Sequence, residues 1–220
     1  MGILAQSEMK VAFEMRLNDM DPMKHVKLSY DMVPNTAFNV DVIVKWRRII
    51  KELVQKEKNY IENESIPYGL YPMIAGFPTG YFTYLFDPSK YQHFIDENNI
   101  QTIKIPTLQL IKYVDQQQLD PIHRFEDNDK DAPIIILESP LFNQPFCISG
   151  NLKITDAYKG VKRNLSVYYL LTDEYLHLMH DDLSKAMHMF HSDLQVLSQS
   201  GLPPKFEELY ISKTINYLFK

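Results

Sequence analysis

Ser149, Gly150, Asn151 and Lys153 fall in one short run, SGNLK, between a stretch that reads as a strand and one that reads as a helix. A glycine turn feeding a helix aims backbone N–H groups and the positive end of the helix dipole at one point, an arrangement suited to an anion. Lys153 sits in the first helical turn, an unfavourable place for a cation unless an anion offsets it; the alternative is that it points into water. Arg163 is a candidate second cation. The ligand such a site would take is a nucleotide or a phosphorylated small molecule. Asp156 and Glu138 are the carboxylates that could assist hydrolysis at the same turn.

Three other groups invite chemistry and carry less. His177, His180, His188 and His191 lie in a stretch that reads as one helix, and at 100° per residue they share one face. The two pairs are about 16 Å apart along that helix, too far for one ion, and neither has the i, i+4 spacing of the helical zinc motif. The expectation is a solvated polar stripe, with no metal site. Cys147, the single cysteine, excludes an internal disulfide and reads as a buried, inert thiol. The run DNDKD at 127–131 lacks the glycine and terminal glutamate of a calcium loop and reads as solvated. No nucleophile elbow, Walker loop or dinucleotide-binding glycine pattern occurs, so no catalytic residue is assigned and the cofactor is left open.

The elements that must position these residues follow from periodicity and composition. With 45% apolar residues in 220, the chain can bury a sizeable core. Residues 40–60 form an amphipathic helix with Ile43, Trp46, Ile50 and Leu53 as its buried stripe and Asn39 or Asp41 as its cap. Residues 64–90, rich in Pro, Gly and aromatics, read as loops with one strand, GYFTYLF. A helix follows, with Asp87 as cap, Pro88 at the first turn, and Tyr91, Phe94 and Ile95 facing inward. Strands are expected at 103–105, at PIIIL (133–137, buried on both faces), at PFCIS and at LSVYYL. Between the last two lies a short helix closed by Gly160. The C-terminal part reads as one helix from Thr172 to Ser200, burying its Met, Leu and Phe side, and a second opened by Pro204.

Net charge is −5 and no run of Lys and Arg exceeds two residues, so there is no broad footprint for nucleic acid, although a local basic groove is left open. No apolar run approaches the ~20 residues that cross a bilayer. The opening MGILAQSEMKVAFEM has no basic region followed by an apolar one, so no secretion signal is expected. With a single cysteine, the expected setting is the cytoplasm.

The segments APIIIL, PFCISGNLKITDAYKG and LSVYYL, preceded by IKIPTLQLI and DQQQLDP, resemble the core of ParB-like domains, whose wider fold includes sulfiredoxin. The resemblance covers about 101–170. It implies an α+β fold: a ParB/sulfiredoxin-like mixed α/β core at 101–170, an N-terminal helical and loop-rich extension at 1–100, and C-terminal helices at 171–220. In active members of the family the turn carries Gly, a polar residue and a pair ending in Arg that binds phosphate. Here it is Gly150-Asn151-Leu152-Lys153, and a lysine neutralises a phosphate without making the bidentate fork. The sulfiredoxin-type cysteine would directly follow the turn glycine, whereas Cys147 precedes it, so sulfinic acid reduction is not expected. The resemblance therefore implies a catalytically reduced binding module for a nucleotide or phosphorylated ligand. A nucleotide- or phosphodiester-hydrolysing enzyme using the same turn, and a protein-interaction domain with no small ligand, are the alternatives.

Overall fold

A computed structural model of the chain describes residues 20–63, 70–87, 90–114, 133–139, 144–199 and 204–218. The fold is mixed α+β. In chain order the elements are α1 (Pro22–Leu28), α2 (Ala37–Asn63), β1 (Tyr71–Phe77), β2 (Gly80–Phe86), α3 (Tyr91–Glu97), β3 (Ile103–Pro106) and α4 (Thr107–Leu110). Then come β4 (Ile135–Glu138), β5 (Phe146–Ser149), α5 (Asn151–Lys159), β6 (Asn164–Leu171), α6 (Thr172–Tyr175), α7 (Asp182–Ser198) and α8 (Tyr210–Leu218). The chain divides into two compact units: Met1–Tyr68, Pro72–Tyr84 and Asp181–Lys220 form the first, Gly69–Tyr71 and Leu85–His180 the second. No helix among the described residues is long and apolar enough to cross a membrane.

The second unit is built on a four-stranded sheet in the order β3-β6-β4-β5. β4 runs parallel to β6 (Ile136 opposite Tyr169) and antiparallel to β5 (Ile136 opposite Cys147). It is therefore hydrogen-bonded on both edges, and Ile135, Ile136 and Leu137 are fully buried. This is what a β-branched run without polar alternation requires. The strand begins at Ile135; Ile134 precedes it, yet its carbonyl still accepts from Tyr168 N. Ile134, Ile136 and Cys147 pack with Ile105, Leu110, Ile154, Leu165 and Val167 in one cluster, which sets α4 and α5 over one face of the sheet. Phe86, Phe146 and Tyr175 make a second aromatic cluster in the same unit.

In the first unit α2 buries Ile43, Trp46, Ile50 and Leu53, as the stripe requires. Its cap is one turn earlier than the sequence reading places it: Thr36 Oγ1 accepts from Asn39 N, and Asn39 turns its amide to Pro34 O. β1 and β2 pair as a two-stranded sheet across a two-residue turn. The sequence reading found β2 and missed β1, because Pro72 makes the run YPMIAGF look like a loop; Pro is tolerated near a strand start, where its missing N–H costs little. For the helix after β2, Pro88 lies outside the described residues, and α3 starts at Tyr91 with Tyr91 and Ile95 buried.

The expected continuous helix from Thr172 to Ser200 is interrupted. α6 passes into a 3-10 turn at Leu176–Leu178, and α7 starts afresh at Asp182. Asp181 is the reason: its backbone is extended and its carboxylate accepts from Ser184 N at 2.7 Å and Ser184 Oγ at 2.8 Å, an N-terminal cap. The break also overturns the solvated histidine stripe. His177 and His180 belong to the second unit and His188 and His191 to the first, and His188 and His191 are buried. Met187, Phe190, Leu194 and Leu197 are buried as expected, but α7 is covered on more than one side and its histidines are inside as well.

Candidate functional site

The turn after β5 is fixed by one glycine. Gly150 has φ +85° and ψ 19°, left-handed backbone that a Cβ disfavours. A Cβ there would stand 2.7 Å from Ile134 Cγ1 and 3.0 Å from Ile134 Cα. The position is thus closed to other residues twice over, by torsion and by the buried start of β4. Gly150 O accepts the first helical bond from Ile154 N at 3.0 Å, so α5 begins directly at Asn151 and ends at the Gly160 cap.

The polar side chains of the turn are directed into the fold. Ser149 Oγ donates to Pro133 O at 2.8 Å. Asn151, buried, donates from Nδ2 to Cys147 O at 3.3 Å, and Tyr71 Oη donates to the same carbonyl at 3.2 Å. Cys147 is a free, buried thiol whose Sγ donates to Ser149 O at 2.9 Å. Ser149 and Asn151 therefore set the shape of the corner. At this end of α5 Gly150 and Asn151 are buried, and the side chain presented outward is the exposed Lys153.

The remaining sequence-derived candidates stand elsewhere. Arg163 follows the far end of α5, a helix about 13 Å long at 1.5 Å per residue, so it does not flank the turn beside Lys153. Glu138 ends β4, whose start pairs with Ser149; three residues of strand, about 10 Å, separate it from the turn. Its carboxylate accepts from Tyr169 Oη at 2.6 Å, which, after desolvation, helps hold that phenol above its ordinary range. Asp156 is exposed one turn beyond Lys153 on the same side of α5.

The first unit holds a buried polar chain that the sequence reading did not find. His25 Nε2 lies 2.7 Å from His191 Nε2, His191 Nδ1 lies 3.0 Å from Tyr84 Oη, and His25 Nδ1 bonds Thr79 Oγ1. Thr79 Oγ1 also reaches Met20 Sδ at 3.5 Å. An order that satisfies every group runs from Tyr84 O–H to His191, from His191 Nε2–H to His25, from His25 Nδ1–H to Thr79, and from Thr79 O–H to the sulfur. Both imidazoles are then neutral. Burial pushes His25 down to about 4, and burial with the neighbouring His25 and His188 pushes His191 well below the ordinary histidine range. Phe77 stacks on His191 at 3.9 Å between centroids. Beside this chain, Asp193 accepts from Trp46 Nε1 (2.8 Å), Tyr210 N (2.7 Å) and Ile211 N (3.0 Å), and so caps α8 from α7. Its burial pushes the carboxyl up to about 6 against those three donors. Among the described residues no group of three or more His, Cys, Asp or Glu side chains could hold a metal ion. The contacts join residues as much as 166 positions apart, and no local spacing signals them.

Comparison of the chain with family models, with curated proteins and with solved structures gives no match.

Proposed function

We propose that the second unit is a binding module of ParB-like type that holds a phosphate-bearing ligand, a nucleotide or a phosphorylated small molecule, at the start of α5 in a cytoplasmic setting. The observation that carries this reading is the conjunction at one corner of a left-handed glycine, a helix that begins directly after it and an exposed Lys153 in the first turn. The helix dipole and backbone N–H groups favour an anion there, and Lys153 supplies the balancing charge. Ser149, Gly150 and Asn151 act by holding the corner rather than by touching the ligand. Binding without catalysis is favoured because Glu138 stands at the other end of β4. Asp156, in α5 itself, is the carboxylate that a hydrolytic reading would have to use.

A thermal-shift series with nucleoside mono-, di- and triphosphates, with and without magnesium, tests the reading. The expected result is a raised midpoint that Lys153→Ala removes, with no product formed. Turnover that depends on Lys153 would favour the hydrolase reading, and an unchanged midpoint throughout would remove the small-ligand reading.

A further inference from the structure

The other end of α5 carries a different surface. The helix closes with Val161 N bonded to Tyr158 O at 3.1 Å and Lys162 N bonded to Ala157 O at 2.9 Å. These are the paired bonds of a Schellman cap, whose left-handed position falls one residue past the cap and is normally glycine. Here the glycine is one residue early. Gly160 has ordinary φ −80°, and the left-handed residue is Val161, at φ +57°. A β-branched residue in that conformation is an outlier and strained. Val161 is also 84% exposed, so packing against this chain does not repay the strain.

Val161 is not isolated. Tyr158 and Leu108 are exposed, at 46% and 70%. Thr107 N donates to Arg163 O at 3.0 Å, which brings the start of α4, with Leu108, beside the Val161–Arg163 turn. Lys159, Lys162 and Arg163 are exposed around these apolar groups, and none forms an ion pair with a described residue. From Asn151 to Arg163 there are four cations and one carboxylate, in a chain whose net charge is −5.

From this juxtaposition we propose that the C-terminal end of α5 is a docking surface for an acidic protein segment bearing an aliphatic or aromatic anchor. The cations meet the acidic side chains, and Val161, Tyr158 and Leu108 receive the anchor. Strain retained at a fully presented apolar residue is accounted for by contact with a partner, since a glycine at 161 would serve the fold better. The acidic balance of the whole chain argues against an extended polyanion, whose approach it would oppose beyond the local patch.

The test uses the full chain, isotope-labelled, titrated with a synthetic peptide alternating Glu and Leu, its Gln/Leu counterpart, and a single-stranded oligonucleotide. The Glu/Leu peptide is expected to shift the amides of Leu108 and of Tyr158 to Arg163, and the Gln/Leu peptide to bind at least about tenfold more weakly. Lys162→Glu with Arg163→Glu should abolish binding. Val161→Gly separates docking from folding: it should raise the thermal midpoint and at the same time weaken the peptide several-fold. The inference is overturned if the midpoint rises with binding unchanged or if no amide in this region moves at millimolar peptide. It is equally overturned if the oligonucleotide binds more tightly than the peptide, or if self-association covers the same amides.

Discussion

A methyl group at residue 150 has no room and the wrong torsion. Gly150→Ala must either flip the turn out of its left-handed conformation or push against Ile134 Cα, which is backbone at the head of the central strand. We expect a loss of more than about 2 kcal/mol in urea denaturation, the left-handed penalty plus the displaced contact. A loss below about 0.5 kcal/mol would show that the corner is loose. This glycine was readable from the sequence, since a strand, a glycine and a helix follow one another there. Val161 was not. Gly160 looks like the residue that closes the helix, and only the torsions reveal that the strained position is the next one. Lys153 is unlike either: its exposure and place in the first turn follow from the sequence, while the inward direction of Ser149 depends on the carbonyl of Pro133, which precedes β4, and that of Asn151 on the local carbonyl of Cys147.

Among the elements, those legible in the sequence are the ones whose burial follows a single period. β4 is apolar without alternation because it is covered on both faces, and α2 has one buried stripe because one side of it packs. α7 fails that logic. It buries Ser184, His188, His191 and Asp193 together with its apolar side; Ser184 bonds Asp181 at the helix's own cap, while His188, His191 and Asp193 meet elements distant in sequence. Asp193 joins three helices: Trp46 of α2 donates to it, and it caps α8 through Tyr210 N and Ile211 N. Asp193→Ala would strand three donors in or near the core and should cost about 3 kcal/mol or more. The same variant should also lower amide protection at the start of α8. Unchanged exchange there, with a stability loss under about 1 kcal/mol, would mean that α8 is held by its apolar face alone.

At the scale of the whole molecule, the two compact units differ in what they should do when conditions change. The first unit holds His25 and His191 neutral at a pH where an unfolded chain would bind a proton at each. Its stability should therefore fall as pH drops below about 6.5 toward 4, because the unfolded state takes up protons that the native state refuses. Asp193, pushed up to about 6, works in the opposite sense, binding a proton more readily when folded. Two histidines against one carboxylate leave a net of one proton, or about 1.4 kcal/mol lost per pH unit between 6 and 4. Trp46, the single tryptophan, reports this unit by fluorescence. A urea midpoint that is the same at pH 7 and pH 5 would contradict the neutral pair. In the second unit, binding of an anion at the start of α5 is tested by titrating inorganic phosphate and a nucleotide into the isotope-labelled chain. Saturable shifts of the Gly150 to Lys153 amides that disappear in Lys153→Glu are expected; amides that stay still at millimolar ligand would rule out an anion site at this corner.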